Sequence, residues 1–73
     1  LQGWYAYASD NGIVVQLGEL NDASVEIYDL SGRIIHYMEH QEGVARIPTN
    51  LTRQLYVVKV TSSTVSGIQK IIR

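Results

Sequence analysis

Along most of the chain, apolar side chains recur at every second position, and short polar clusters break the pattern into segments of five to eight residues. A period of two places alternate side chains on opposite faces of a strand. Trp4 to Ala8 reads as a first strand and Ile13 to Leu17 as its return, with Ile13, Val15 and Leu17 on one face and Gln16 on the other. Between them, Asp10-Asn11-Gly12 suits a tight hairpin, because Asn and Gly tolerate positive φ. A polar break at Gly18 to Asp22 precedes a third strand from Ala23 to Asp29, where Val25 and Ile27 alternate with Ser24, Glu26 and Tyr28.

Asp29-Leu30-Ser31-Gly32 reads as a turn in which Asp29 accepts backbone N–H groups and Gly32 takes the positive-φ position. A fourth strand follows from Arg33 to Met38, and Glu39 to Glu42 reads as a solvated connection. Gly43 opens a short fifth strand to Ile47, and Pro48, with no N–H for a ladder, should end its pairing. Thr49 to Gln54 is the one stretch suited to a single helical turn. Leu55 to Thr61 is a sixth strand with Tyr56, Val58 and Val60 on one side and Lys59 on the other. After a polar turn at Ser62 to Ser66, Gly67 to Arg73 forms the last strand. Ile68 and Ile72 share a parity there and are expected to face inward, leaving Ile71 outside. Lys70 breaks the inward set, so a shift near Gly67 could reassign it.

Seven short strands and no long helix point to an all-β domain, two antiparallel sheets packed face to face. A closed six- or seven-stranded barrel is the next choice. Composition agrees: Val and Ile supply 16 of the 73 residues and there are five tyrosines, types that pack well on a pleated surface. A chain this long is one domain, residues 1–73, and folding hides only roughly 60% of its extended surface. That allows one thin core and leaves little room for a deep catalytic cleft. The start at Leu1 rather than Met suggests a piece of a longer protein.

Charge and chemistry then narrow the function classes. Six basic residues balance seven acidic ones, so the basic stripe of a nucleic-acid binder is missing. No apolar run approaches the roughly 20 residues of a membrane helix. There is no cysteine, which excludes disulfides, thiol nucleophiles and Cys-ligated zinc. His36 and His40, with Glu39 and Glu42, form at best a weak metal site, because four-residue spacing converges on a helix and this segment reads as strand and turn. No serine lies in a strand-to-helix elbow, and no glycine-rich phosphate loop is present. No enzymatic activity and no cofactor are expected. Asn50-Leu51-Thr52 matches a glycosylation acceptor pattern and reads instead as Leu51 packing beneath a loop. Alternation separates Trp4 from Tyr5 and sets Tyr5 beside Tyr7, a pair that either binds sugar or covers the edge of a small core.

The run Val25-Glu26-Ile27-Tyr28-Asp29-Leu30-Ser31-Gly32-Arg33-Ile34-Ile35 resembles the central hairpin of the C-terminal sorting domains carried by cargo of the Bacteroidetes type IX, or Por, secretion system. Their pattern is an apolar strand, Tyr-Asp-x-x-Gly-Arg or -Lys, and a second apolar strand. Further pieces follow in order: Ala45 to Pro48, Leu51, the strand Tyr56-Val57-Val58-Lys59-Val60, and the basic, apolar ending Gln69-Lys70-Ile71-Ile72-Arg73. The chain departs from the pattern at Arg53-Gln54-Leu55, where a glycine is common, and lacks the Pro-Asn-Pro start, as a shortened or divergent member would.

The resemblance implies an immunoglobulin-like antiparallel β-sandwich of seven strands appended to a larger secreted cargo. It implies a non-catalytic signal that passes through the periplasm and directs the cargo to the outer membrane, the cell surface or the medium. Its partners would be the type IX translocon, an outer-membrane shuttle protein, the attached N-terminal cargo, and a surface sortase-like protease that removes the domain. The expected recognition strand is Gly67, Ile68, Gln69, Lys70, Ile71, Ile72 and Arg73. Asp29, Gly32 and Arg33 are expected to hold the structural turn. The competing expectation is an accessory sandwich of a surface protein, used for adhesion or carbohydrate binding.

Overall fold

The computed structural model describes residues 3–10, 12–48 and 53–72. Within them the chain forms seven strands: β1 Tyr5–Ser9, β2 Gly12–Gln16, β3 Ala23–Tyr28, β4 Ile34–Gln41, β5 Val44–Ile47, β6 Leu55–Thr61 and β7 Ser66–Ile72. They build a three-stranded sheet, β1-β2-β5, and a four-stranded sheet, β4-β3-β6-β7, with every pairing antiparallel. This is the expected immunoglobulin-like sandwich. The fourth strand pairs with β3 and so belongs to the larger sheet, a variation on the arrangement that places it beside the fifth strand.

Alternation sets what each sheet buries. Ile13, Val15 and Leu17 face Val25, Ile27, Tyr56, Val58 and Val60 across the interior, all essentially inaccessible to solvent. Burying a branched aliphatic side chain of this kind contributes about 1.5–3 kcal/mol. Trp4 belongs to the same core, and the partly buried Leu20, Ile35, Met38 and Val65 pack against it. No charged side chain is buried among the described residues.

The fourth strand departs from a regular, shorter strand at two points. β4 does not end at Met38; it continues to Gln41, through what read as a solvated connection. The extension depends on an irregular pairing with β3, where Ala23 opposes Gln41 but Val25 opposes Met38, leaving an extra residue on β4. His40, at φ 56°, absorbs it, since a bulged residue must leave ordinary β geometry. A second irregularity sits where Ile27 pairs with His36 but Tyr28 pairs with Ile34. The skipped residue, Ile35, packs onto the core. This bulge breaks the simple alternation within β4: Ile34 is exposed while His36, opposite Ile27, is half-buried.

The proposed helical turn at Thr49 to Gln54 and the Asn50-Leu51-Thr52 tripeptide lie almost entirely outside the described residues, as does Asn11 of the first hairpin.

Candidate functional site

The β3–β4 turn is built on one carboxylate. Asp29 Oδ1 accepts from the Ser31 amide at 2.9 Å, the Ser31 hydroxyl at 2.6 Å and the Arg33 amide at 3.1 Å. Its other oxygen lies 3.4 Å from Arg33 Nε. The backbone closes the same loop: the Gly32 amide donates to the Asp29 carbonyl at 3.1 Å and the Asp29 amide to the Arg33 carbonyl at 3.0 Å. A three-residue loop with this bonding needs a left-handed residue at its end, and Gly32 supplies it at φ 87°. The Ser31 hydroxyl, followed by the Arg33 amide, holds the Asp29 carboxyl below the usual carboxylate range, because each donor favours the ionised form. The three expected turn residues, Asp29, Gly32 and Arg33, are therefore brought together as one unit. Leu30 stands at its tip with 65% of its surface exposed.

The last strand is oriented opposite to expectation. β6 and β7 pair without a break from Leu55↔Ile72 to Thr61↔Ser66, and opposed residues share a face. Tyr56 is buried, so its partner Ile71 is buried too, at 7% exposure. Ile68 and Ile72 point outward, at 58% and 78%. Lys70 lies between them on the same outer face, opposite Val57. No bulge at Gly67 intervenes. Arg73 lies outside the described residues.

Gln69 explains why this face was hard to read. It sits on the inward parity, opposite Val58, where a primary amide would ordinarily be costly. Its side chain instead reaches the edge of β1: Nε2 donates to the Ala6 carbonyl at 2.8 Å, and Oε1 accepts from the Ala6 amide at 3.0 Å. The side-chain amide thus pairs with β1 as a neighbouring strand would, and ties the edge of one sheet to the edge of the other.

The register also brings the turn and the last strand to one end of the larger sheet. Tyr28 is flanked by Ile34 and Val57, Val57 by Lys70, and Leu55 by Ile72. These outward positions run from β4 across β3 and β6 to β7, close to where the Asp29–Arg33 turn projects.

The remaining candidates are placed apart. Tyr5 and Tyr7 stack on the outer face of the smaller sheet, ring centroids 5.9 Å apart. His40 pairs through Nδ1 with the Asp22 carboxylate, 2.5 Å away, and this bond, then the charges of Asp22 and Glu39, raises the His40 pKa. Its ring is therefore not converging with His36. Among the described residues no group of three or more His, Cys, Asp or Glu side chains could hold a metal ion, and no cavity opens. No helix is long and apolar enough to cross a membrane. Gln69 was expected only as part of the recognition strand, and neither its bonds to Ala6 nor the pairing of His40 with Asp22 was read from the sequence. Only the inward parity of Gln69, had β7 been registered on β6, could have signalled its role.

No curated protein matches the chain, and no solved structure does. A family model described as the secretion system C-terminal sorting domain matches residues 9–73, which include the Asp29–Arg33 turn and the last strand. Domains of this family are non-catalytic signals for export to the outer membrane, the cell surface or the medium. This chain belongs to the family of type IX secretion system C-terminal sorting domains.

Proposed function

We propose that the domain is appended to a larger cargo and directs it, after transit through the periplasm, across the outer membrane by way of the type IX translocon and its shuttle protein. A surface sortase-like protease then removes the domain. The domain is the substrate of that cleavage. The observation that carries this function is the family match over residues 9–73, supported by a rigid hairpin turn and by a last strand whose outward side chains are accessible.

Recognition is assigned to β7 and the residue after it: Gly67, Ile68, Gln69, Lys70, Ile71, Ile72 and Arg73. Within this set the roles divide by face. Ile68, Lys70 and Ile72 are available to a partner, whereas Ile71 and Gln69 hold the strand in place. An edge strand also offers unpaired backbone groups to an incoming strand, and the ammonium of Lys70 steers an acidic partner.

The test compares deletion of residues 71–73 with charge reversal by Lys70→Glu and Arg73→Glu, in a cargo fusion expressed in a type IX-competent cell. Cargo is scored in medium, outer membrane and periplasm, with thermal melts in parallel. Deletion removes the buried Ile71 and is expected to lower stability and export together. Charge reversal is expected to leave the melt unchanged and shift cargo to the periplasm. Unchanged export by folded charge-reversed variants would remove the assignment to β7.

A further inference from the structure

Three of the exposed apolar side chains of the larger sheet and its turn lie together, while Tyr37 at 50% and Ile68 at 58% stand in the adjacent row, separated by Glu26 and Lys59. Ile34 at 48%, Ile72 at 78% and, on the turn beside them, Leu30 at 65% gather at one end of the sheet's outer face. Half-buried Tyr28, Val57 and Leu55 form the floor between Ile34 and Ile72. Contiguous exposed apolar surface of this kind marks an interaction site more often than isolated residues do. We infer that this end of the outer face is a composite docking surface for a protein segment presenting apolar side chains flanked by carboxylates. It rests on the sorting function proposed above and enlarges the recognised element from β7 to β4, β3, β6 and β7 together.

Three features favour that occupant. Leu30 is held on a turn already fixed by Asp29, so little ordering is lost when a partner covers it. Lys70 extends the row Ile34–Tyr28–Val57 and makes no ion pair among the described residues, so it is free to meet a carboxylate. Glu26, the acidic residue in the adjacent row of β3, is engaged by the Tyr28 hydroxyl and lies opposite Lys59. A second copy docked through the same end would set Lys70 against Lys70. An anionic lipid surface would meet the Asp29 carboxylate beside Leu30, with Arg33 already paired to it.

The surface is tested with the full chain fused to a cargo, scoring the exported fraction. Leu30→Glu and Ile34→Glu lie on or beside β4, away from the last strand, and Val44→Glu on the opposite sheet is the control. The expected result is a loss of about tenfold or more for each of the first two, none for Val44→Glu, and unchanged melts for all three. At Lys70, export should fall in the order Arg, Gln, Glu. Should Ile34→Glu prove unfolded, Leu30→Glu, in a solvent-facing turn, decides alone. Normal export of Leu30→Glu while Lys70→Glu fails would overturn the composite surface and leave β7 as the whole signal. A parent fusion that is not exported at all would instead overturn the sorting function. Binding of the fusion to phosphatidylglycerol vesicles that Leu30→Glu abolishes would reassign the surface to lipid. A dimer in sedimentation equilibrium that Ile34→Glu dissolves would reassign it to a second copy.

Discussion

At the scale of single residues, two glycines show how differently positive φ can be used. Gly32 has open space where a Cβ would project, so substitution there meets backbone strain alone. Gly12, at φ 128°, would drive a Cβ to 2.0 Å from the Ile47 carbonyl oxygen, where β2 and the end of β5 approach. Gly32→Ala is therefore expected to cost about 1–2 kcal/mol in urea unfolding. Gly12→Ala should cost considerably more, because strand backbone must move. Equal effects would mean that the close approach at Gly12 is not maintained in solution. Asp29 gives a pH test. Its pKa is lowered on folding, so its stabilising contribution is present above the ordinary Asp value, 3.8, and is lost as pH falls through the lower folded value. The stability gap between the parent and Asp29→Asn should narrow with acidification over that range. For His40 the sign is opposite. Its folded pKa is raised above 6.5, so the bond to Asp22 helps fully below that value and fades as pH rises through the folded one. Asp22→Asn should abolish that alkaline loss, measured by melts across neutral pH.

Among the elements, β7 is where sequence and structure part most clearly. The fold class, the seven strands, the inward faces of β2, β3 and β6, and the Asp29–Gly32 turn were all legible, because each is dictated by local alternation or local turn chemistry. The face of β7 was not. Its apolar residues fall on both parities, Ile68 and Ile72 against Ile71. A polar Gln69 also occupies the inward set, satisfied by Ala6, 63 residues away. The bulges in β4 were hidden for the same reason: they arise from pairing with β3 and leave no mark in the strand's own pattern. Of the candidate site, the turn was visible and its meeting with β7 at one end of the sheet was not, since that depends on register through β6. Ile71→Ala is expected to destabilise by about 2–4 kcal/mol through lost burial and a residual cavity, against about 0.5 kcal/mol or less for Ile72→Ala at the surface. Gln69→Ala should cost about 1–3 kcal/mol by stripping partners from the Ala6 backbone. A reversed order for Ile71 and Ile72 in chemical denaturation would restore the opposite face for β7.

For the whole molecule, the division of labour follows from size. A sandwich of 73 residues has one core, and nearly every inward side chain is committed to it. What remains for function is surface, and our proposal places recognition on the hairpin and the last strand. Under the proposed function the signal is read in the folded state, so loss of fold and loss of recognition must be told apart in every export experiment. The central claim is that the chain itself confers export. The most direct measurement transplants it to the C-terminus of a periplasmic reporter, in a type IX-competent cell, and follows the reporter's distribution by fractionation. The reporter carrying the chain should appear at the cell surface or in the medium, while the reporter alone stays in the periplasm. The same periplasmic distribution with and without a folded chain would contradict the account.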